Sequence, residues 1–154
     1  MIFMSNEENQ QKVVVSLEDL LAQADALKKY IDYLQKTYAE LQDNIMSIDS
    51  SLQALKELQN SQELLMVGDK RGNVIFKVQG IDKAKVLVHL GLEYYAEVDP
   101  DFATKVLNDK KSELSNVLSN VEKELAKSLE AYKEIADILN QAQQQLQAQQ
   151  NKGG

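Results

Sequence analysis

The chain has 154 residues, a length typical of one domain, and its 24 acidic residues outnumber its 17 basic residues to give a net charge of −7. This balance argues against a nucleic-acid binder, because phosphate backbones are bound by clustered Lys and Arg. The chain has no Cys and one His, His89, which excludes disulfides, thiolate zinc sites and multi-histidine metal clusters. No segment approaches the ~20 apolar residues of a membrane-spanning helix, and the first residues lack the basic region of a signal peptide, so we expect a cytoplasmic protein.

The first part of the chain predicts one long helix. We expect a flexible leader over residues 1–15 and a helix over residues 16–60, because Ser16 and Asp19 have the spacing of a capping box. Apolar residues then recur in alternating steps of three and four, which is the heptad pattern of a coiled coil. The predicted seam consists of Leu17, Leu20, Ala24, Leu27, Ile31, Leu34, Tyr38, Leu41, Ile45, Ile48, Leu52 and Leu55.

The middle of the chain, residues 61–98, has a different character. Four short runs of strand-forming residues, 63–67, 73–78, 85–90 and 93–98, follow one another with Gly at the breaks. The first and second runs are typical of one β-hairpin, and the third and fourth runs are typical of another. The sequence therefore predicts two hairpins in a row.

A second long helix is predicted over residues 99–148. Asp99 suits the N-cap and Pro100 suits the first helical position. The Gln-, Ala- and Gly-rich tail indicates disorder over residues 149–154. The predicted seam of this helix consists of Leu107, Lys111, Leu114, Leu118, Val121, Leu125, Ser128, Tyr132, Ile135, Leu139, Ala142 and Leu146.

The two seams have nearly equal lengths, as two helices that pair inside one chain require. We therefore predict a mainly α fold: a long antiparallel two-helix coiled coil with two β-hairpins between the helices. Isolated hairpins are at best marginally stable in water, so we expect these hairpins to assemble with strands of other subunits. The predicted interface residues are Leu65, Val67, Val74, Phe76, Val78, Val86, Val88, Leu90, Tyr94 and Tyr95.

Residues 86–97, which read Val-Leu-Val-His-Leu-Gly-Leu-Glu-Tyr-Tyr-Ala-Glu, match the pattern V-L-V-x-L-G-x-x-Y-Y-V-E except at Ala96. Together with the order helix, two hairpins, helix, this segment resembles the α class of the prefoldin family, whose β class has a single hairpin. The resemblance implies a hexamer of two α-type and four β-type subunits, joined through their hairpins. It also implies a chaperone without ATP or other cofactors, which captures unfolded polypeptides at the coiled-coil tips and passes them to a group II chaperonin.

The fold-back of the two helices brings residues 13–30 and 132–149 to the same end of the coiled coil. The apolar residues there outnumber those that a two-helix seam can bury, and exposed apolar patches often mark binding sites. Ordinary partial burial by neighbours is the alternative interpretation. The candidate client-binding residues are Val13, Val14, Val15, Leu17, Leu20, Leu21, Leu139 and Leu146.

The remaining chemistry of the sequence does not predict an enzyme. His89 lies in a predicted strand and has neither a Cys nor a second His with which to build a nucleophile or a metal site. The competing hypothesis is a structural coiled-coil scaffold or filament protein that binds no client. The hairpins favour a closed oligomer, since a scaffold more often keeps its heptads continuous.

Overall fold

The order of helices and strands matches the sequence-based prediction. The structure, a computed structural model, describes the backbone of residues 6–152 and the side chains of residues 17–152. It confirms a mainly α fold with two small antiparallel hairpins between two long helices. Its elements are α1 (Asn6–Asn60), β1 (Leu64–Val67), β2 (Ile75–Val78), β3 (Val86–Gly91), β4 (Tyr94–Val98) and α2 (Pro100–Lys152).

Both helices extend further toward the ends of the chain than predicted. α1 begins at Asn6, so the boundary at residue 16 is wrong and Ser16 lies inside the helix rather than at its cap. The residues before Ser16 include Glu, Gln and Lys, which are good helix formers and continue the helix. α2 continues to Lys152 because its Gln- and Ala-rich end also favours a helix, so the disorder predicted from residue 149 is wrong up to that residue.

The contacts of the chain define two compact units. The first, here called the terminal pair, combines residues 1–40 of the chain with residues 118–154. In its described part, Ile31 and Leu34 of α1 and Ser128 of α2 are buried. All three belong to the predicted seams, which confirms the heptad interpretation at these positions. Leu146, the last predicted seam residue, is 50% exposed, so the seam does not bury it.

Two hydrogen bonds cross between the helices of the terminal pair. The phenol of Tyr30 donates to Glu124 at 3.4 Å, and that of Tyr38 donates to Glu122 at 3.2 Å. The order of the partners shows that the helices are antiparallel, since rising numbers on α1 meet falling numbers on α2. The hydrogen bond to Glu122, together with desolvation, raises the pKa of Tyr38 above its ordinary value.

The second unit, here called the hairpin unit, comprises residues 41–117. β1 pairs with β2 and β3 pairs with β4, each pair forming its own two-stranded antiparallel sheet. A register shift between His89 and Gly91 interrupts the second hairpin near its turn. The turn places Leu92 in the left-handed region with a φ of 50°, a conformation that residues with a Cβ adopt at a cost.

Apolar and polar contacts both hold the hairpin unit together. Its buried apolar residues come from both helices and from β3: they are Ile48, Leu58, Val88 and Ala103. Lys111, a polar member of the predicted α2 seam, forms a salt bridge of 2.5 Å with Asp49 of α1.

Lys83, from the segment between the hairpins, donates to the backbone carbonyl of Ser61 just after α1. This bond supplies a cation at the end of a helix that has no basic residue in its last turn.

The start of α2 has the predicted cap. The carboxylate of Asp99 accepts a hydrogen bond of 2.8 Å from the backbone N–H of Phe102, and the helix starts at Pro100. This bond satisfies one of the amides that lack a partner within the first turn.

We predict that Asp99→Ala lowers the free energy of unfolding by about 1 kcal/mol, because the Phe102 amide loses its acceptor. Asp99→Asn keeps a side-chain oxygen at the cap and should retain most of the stability. Asp109→Ala, at an exposed position inside α2, serves as the control. Chemical denaturation followed by circular dichroism measures all three, and equal stability of the Ala and Asn variants at position 99 would contradict the cap.

Candidate functional site

The first hairpin exposes large apolar side chains on both of its faces. In the observed register Met66 lies opposite Phe76, and Val67 lies opposite Ile75 on the other face. All four side chains are more than half exposed. A two-stranded ribbon has only two faces, so one packing partner within the chain could cover only one of them. The predicted interface residues Leu65, Val67, Val74 and Phe76 are accordingly all exposed, and Val78 is half-buried.

The second hairpin has one face toward the chain itself and one face exposed. Val86 and Val88 lie opposite Val98 and Ala96, and this face is half-buried or buried. Val88 is only 6% exposed, so it packs within the chain and is not part of a surface that a partner could reach. The prediction that placed Val88 at the interface therefore needs correction: the alternation was right, but that face covers the chain's own core.

The opposite face of the second hairpin is the accessible one. Leu87 is 69% exposed, although the predicted interface residues did not include it. Tyr95 on the same face is exposed and stacks at a tilt on His89, with ring centroids 5.1 Å apart. Leu90 and Tyr94, both predicted interface residues, are exposed near the turn. The register shift in β3 moves Leu90 out of strict alternation, which is why it differs from Val88.

The turn of the second hairpin is stabilised by a side chain. A ring nitrogen of His89, Nε2, lies 2.6 Å from the carbonyl oxygen of Leu92 and forms a hydrogen bond with it. This bond holds the residue with the positive φ and leaves the Leu92 side chain 88% exposed. His89 thus has a structural partner, in line with its predicted role as a strand residue.

An open cavity of about 790 Å³ lies inside the hairpin unit, between the helices and the strands. Its lining is mostly apolar and includes Ile48, Leu55, Leu58, Leu64, Val86 and Leu107. Leu55 and Leu107 line it together, as the predicted fold-back of the two seams requires. A cavity with these walls suits an apolar side chain better than a polar ligand.

The loop of the first hairpin is fixed by one carboxylate. Asp69 accepts hydrogen bonds from the backbone and side-chain amides of Asn73 at 2.8 Å and 2.9 Å, and from the backbone amide of Val74 at 3.4 Å. Partial desolvation acts to raise the pKa of Asp69, but hydrogen bonds from Val74, Asn73 and Arg71 outweigh it and lower the pKa.

In the terminal pair, the predicted client-binding residues separate into two groups. Leu17, Leu20 and Leu139 are half-buried along the seam. Leu21 and Leu146 are at least half exposed. The side chains of Val13, Val14 and Val15 lie outside the described residues.

Further apolar side chains of the terminal pair are exposed although the prediction of binding residues did not include them. They are Tyr30, Tyr33, Leu129 and Ile138. Tyr30 and Tyr33 stack on each other with ring centroids 6.4 Å apart. The sequence already shows that all four lie off the heptad seam, and a two-helix seam covers only a narrow stripe of each helix.

Among residues 17–152, whose side chains the structure describes, no three or more His, Cys, Asp or Glu residues are placed together to hold a metal ion. Over the same residues, neither helix has an apolar stretch long enough to cross a membrane. The exposed apolar side chains form the candidate functional surfaces, one on the hairpins and one on the terminal pair.

Two long antiparallel helices joined by two β-hairpins with exposed apolar faces define a hairpin-bearing coiled-coil subunit. A family model described as "Prefoldin subunit" matches residues 27–145. The chain therefore belongs to the prefoldin family, which is a family of chaperones, as the resemblance of the second hairpin implied.

The relatives of the chain include alpha subunits from archaea. It is 50% identical to "Prefoldin subunit alpha" of Saccharolobus islandicus over 131 residues, which cover 84% of this chain and 89% of the relative. It is 45% identical to "Prefoldin subunit alpha" of Metallosphaera sedula over 139 residues, 90% of this chain and 96% of the relative. A structural match to filamentous PFD from Methanocaldococcus jannaschii has a TM-score of 0.46 and 24% identity, covering 81% of this chain and 96% of that one.

We predict that the Asp69 carboxyl titrates with a midpoint below its ordinary pKa of 3.8, as measured by NMR of its side-chain carbon. Since the pKa is lower in the folded loop, the stabilisation that this carboxylate gives is complete above the ordinary value and is lost as the pH falls through the folded value. Asn73→Ala removes a donor and should move the midpoint upward. A midpoint at or above 3.8 in the unsubstituted chain would contradict the hydrogen-bonded loop.

Proposed function

We propose that this chain is the alpha-type subunit of an ATP-independent holdase. It joins β-class prefoldin subunits through its hairpins, in a hexamer of two α-type and four β-type chains. It binds unfolded polypeptides on the exposed apolar side chains of the terminal pair and delivers them to a group II chaperonin. Membership of the prefoldin family supports the hexamer and the chaperonin steps.

The observation that carries the client-binding proposal is the exposure of off-seam apolar residues in the terminal pair. Leu21, Leu129, Ile138 and Leu146 are between 45% and 57% exposed, although Ile31 and Leu34 in the same unit are buried. The helix pair thus forms its seam without them. Side chains of this kind gain free energy by covering any apolar segment that a client exposes, and such contacts have no directional requirement.

A weak contact of this kind becomes effective when the terminal pairs of several subunits bind the same polypeptide. Burying one Leu or Ile side chain contributes roughly 1.5–3 kcal/mol, which is too little to hold a client alone. Subunits joined through their hairpins present several terminal pairs to one polypeptide. The second contact is then intramolecular, and the overall affinity rises by orders of magnitude without stronger individual contacts.

The hairpins supply the surface for that assembly. Leu65, Val67 and Ile75 share one exposed face of the first hairpin, and Leu87 and Tyr95 share the exposed face of the second. Exposed strand edges present unpaired backbone groups, and exposed apolar faces gain free energy when another subunit covers them. This surface therefore favours permanent subunit contacts.

We predict that Leu65→Glu weakens assembly with a β-class subunit by about tenfold or more, because a Leu burial of roughly 1.5–3 kcal/mol is replaced by a buried charge. The hairpin itself should persist, since the new carboxylate lies opposite Lys77 in the register. Met46→Glu changes an equally exposed apolar residue on α1 and is the matched control.

Native mass spectrometry of the mixture with a β-class subunit measures this assembly. An unchanged hexamer in the Leu65→Glu variant would contradict the role of the hairpin face. Particles whose mass grows with concentration, without a limiting stoichiometry, would support the scaffold hypothesis instead.

We predict that changing Leu21, Ile138 and Leu146 together to Ser lowers the ability to suppress aggregation of guanidinium-unfolded citrate synthase by about tenfold. The three side chains are already exposed, so helicity and assembly should stay unchanged. The matched control changes Met46, Phe102 and Val117 to Ser, because these residues are similarly exposed but lie in the hairpin unit. Light scattering measures the effect, and equal loss in both variants would contradict a client surface on the terminal pair.

A further inference from the structure

The exposed apolar residues of the terminal pair share their surface with carboxylates. One groove on α2 is lined by Leu129, Glu130, Lys133, Glu134 and Asp137. All five side chains are exposed, so the groove has an apolar base, three carboxylates and a single cation. Ile138 follows directly after Asp137 and is 48% exposed.

The facing segment of α1 has the same character. Leu21, at 57% exposure, lies three residues after Glu18 and four residues before Asp25, so both carboxylates share its side of the helix. The antiparallel register that the bonds of Tyr30 and Tyr38 set brings this segment alongside the groove-bearing part of α2.

The negative charge of the terminal pair is concentrated in these two segments. Residues 17–30 and 130–142 contain six Asp and Glu against three Lys. The other residues of the pair from 17 onward, 31–40, 118–129 and 143–152, contain four Asp and Glu against four Lys. The net negative charge therefore lies in the segments that contain Leu21 and Ile138, and Leu129 directly precedes the second of them, whereas Tyr33 and Leu146 lie among the other residues, which together have no acidic excess.

Most of these carboxylates have no cation of their own. Asp25 forms an ion pair of 3.1 Å with Lys29. Among the residues that the structure describes, Glu18, Glu130, Glu134 and Asp137 take part in no ion pair, although Lys133 lies in the same groove. A cation from outside the chain can therefore pair with them without first breaking an existing contact.

We infer that the client surface of the terminal pair selects apolar segments that carry Lys or Arg beside them. This inference rests on the proposed client-binding function and names the chemical class of segment that the surface binds. The apolar side chains Leu21, Leu129 and Ile138 cover the apolar part of the segment. The neighbouring carboxylates pair with its cations and repel segments flanked by Asp or Glu.

The size of the effect follows from the exposure of the site. Exposed ion pairs each change an affinity by a factor of about 1.4 to 5 and are screened by salt. Two or three such pairs, together with the repulsion in the acidic case, give a preference of about 5- to 20-fold for a basic over an acidic segment. The apolar contacts remain the main source of affinity, so the charges set selectivity.

The test uses two fluorescein-labelled peptides that share one apolar core of Leu, Ile and Phe. One peptide has two Lys on each side of the core, and the other has two Glu on each side. Fluorescence anisotropy with the full-length chain in its assembled form should show about 5- to 20-fold tighter binding of the Lys peptide at low salt. The difference should nearly vanish at 0.5 M NaCl, where the Debye length is below ~5 Å.

Two charge-matched variants locate the effect. Changing Glu130, Glu134 and Asp137 together to Gln, Gln and Asn should remove most of the preference. Changing Glu40, Asp43 and Asp109 to Gln, Asn and Asn alters the net charge equally, outside the segments concerned, and should leave the preference unchanged.

The outcomes separate this inference from the proposed function. Equal affinity for the two peptides, or equal loss of preference in both variants, would overturn the selection by charge while client binding itself stands. Failure of both peptides to bind at any salt concentration would instead count against the proposed client surface. A preference for the Glu peptide would reverse the inference.

Discussion

A two-helix seam can cover only a narrow stripe of each helix, and this limit determines which surfaces of the chain are available for binding. In the terminal pair the stripe includes Ile31, Leu34 and Ser128. An apolar residue one position away from it, such as Leu21, stays in water because residues 6–152 form no third helix that could cover it. The same heptad pattern that forms the helix pair therefore leaves apolar side chains exposed at defined positions. Their exposure needs no further structural feature.

Register in such a pair needs help from polar side chains, because apolar contacts alone tolerate sliding by a heptad. Tyr30 and Tyr38 of α1 reach Glu124 and Glu122, which are two positions apart and so lie on opposite flanks of α2. Bonds on both flanks restrict rotation as well as sliding. In the hairpin unit, the salt bridge between Lys111 and Asp49 has the same function. Exposed bonds of this kind add little stability, but each misaligned register would lose them.

The sequence predicted the fold well because its signals are local and periodic. Heptads, the Asp99–Pro100 helix start and the glycines of the hairpins each act within a few residues. The errors arose where a local signal had a stronger competitor. Ser16 has the spacing of a cap, but the helix-forming residues before it continue α1 to Asn6.

The candidate surfaces were harder to predict than the fold. Alternation correctly grouped Val86 with Val88, yet only the structure shows that this face covers the chain's own core and that Leu87 is accessible. Alternation separates the two faces of a strand but does not say which face meets the helices. On the first hairpin both faces are apolar and exposed, so a choice of either face selects accessible side chains.

The two exposed apolar surfaces differ in composition, and under the proposed function this difference suits a permanent contact at one and a transient contact at the other. On the first hairpin, Leu65, Val67 and Ile75 share one exposed face, and Met66 and Phe76 share the other. Continuous surfaces of this kind, with charges kept to the loop and to Lys77, resemble the core of an obligate interface. On the terminal pair, single apolar residues alternate with carboxylates such as Glu134 and Asp137. Charges that stay hydrated weaken apolar association, so the proposed function would have a client leave this surface more readily than a subunit leaves the hairpins. A chaperone that must let its client go needs this asymmetry, because equal affinity at both surfaces would either dissociate the assembly or trap the client.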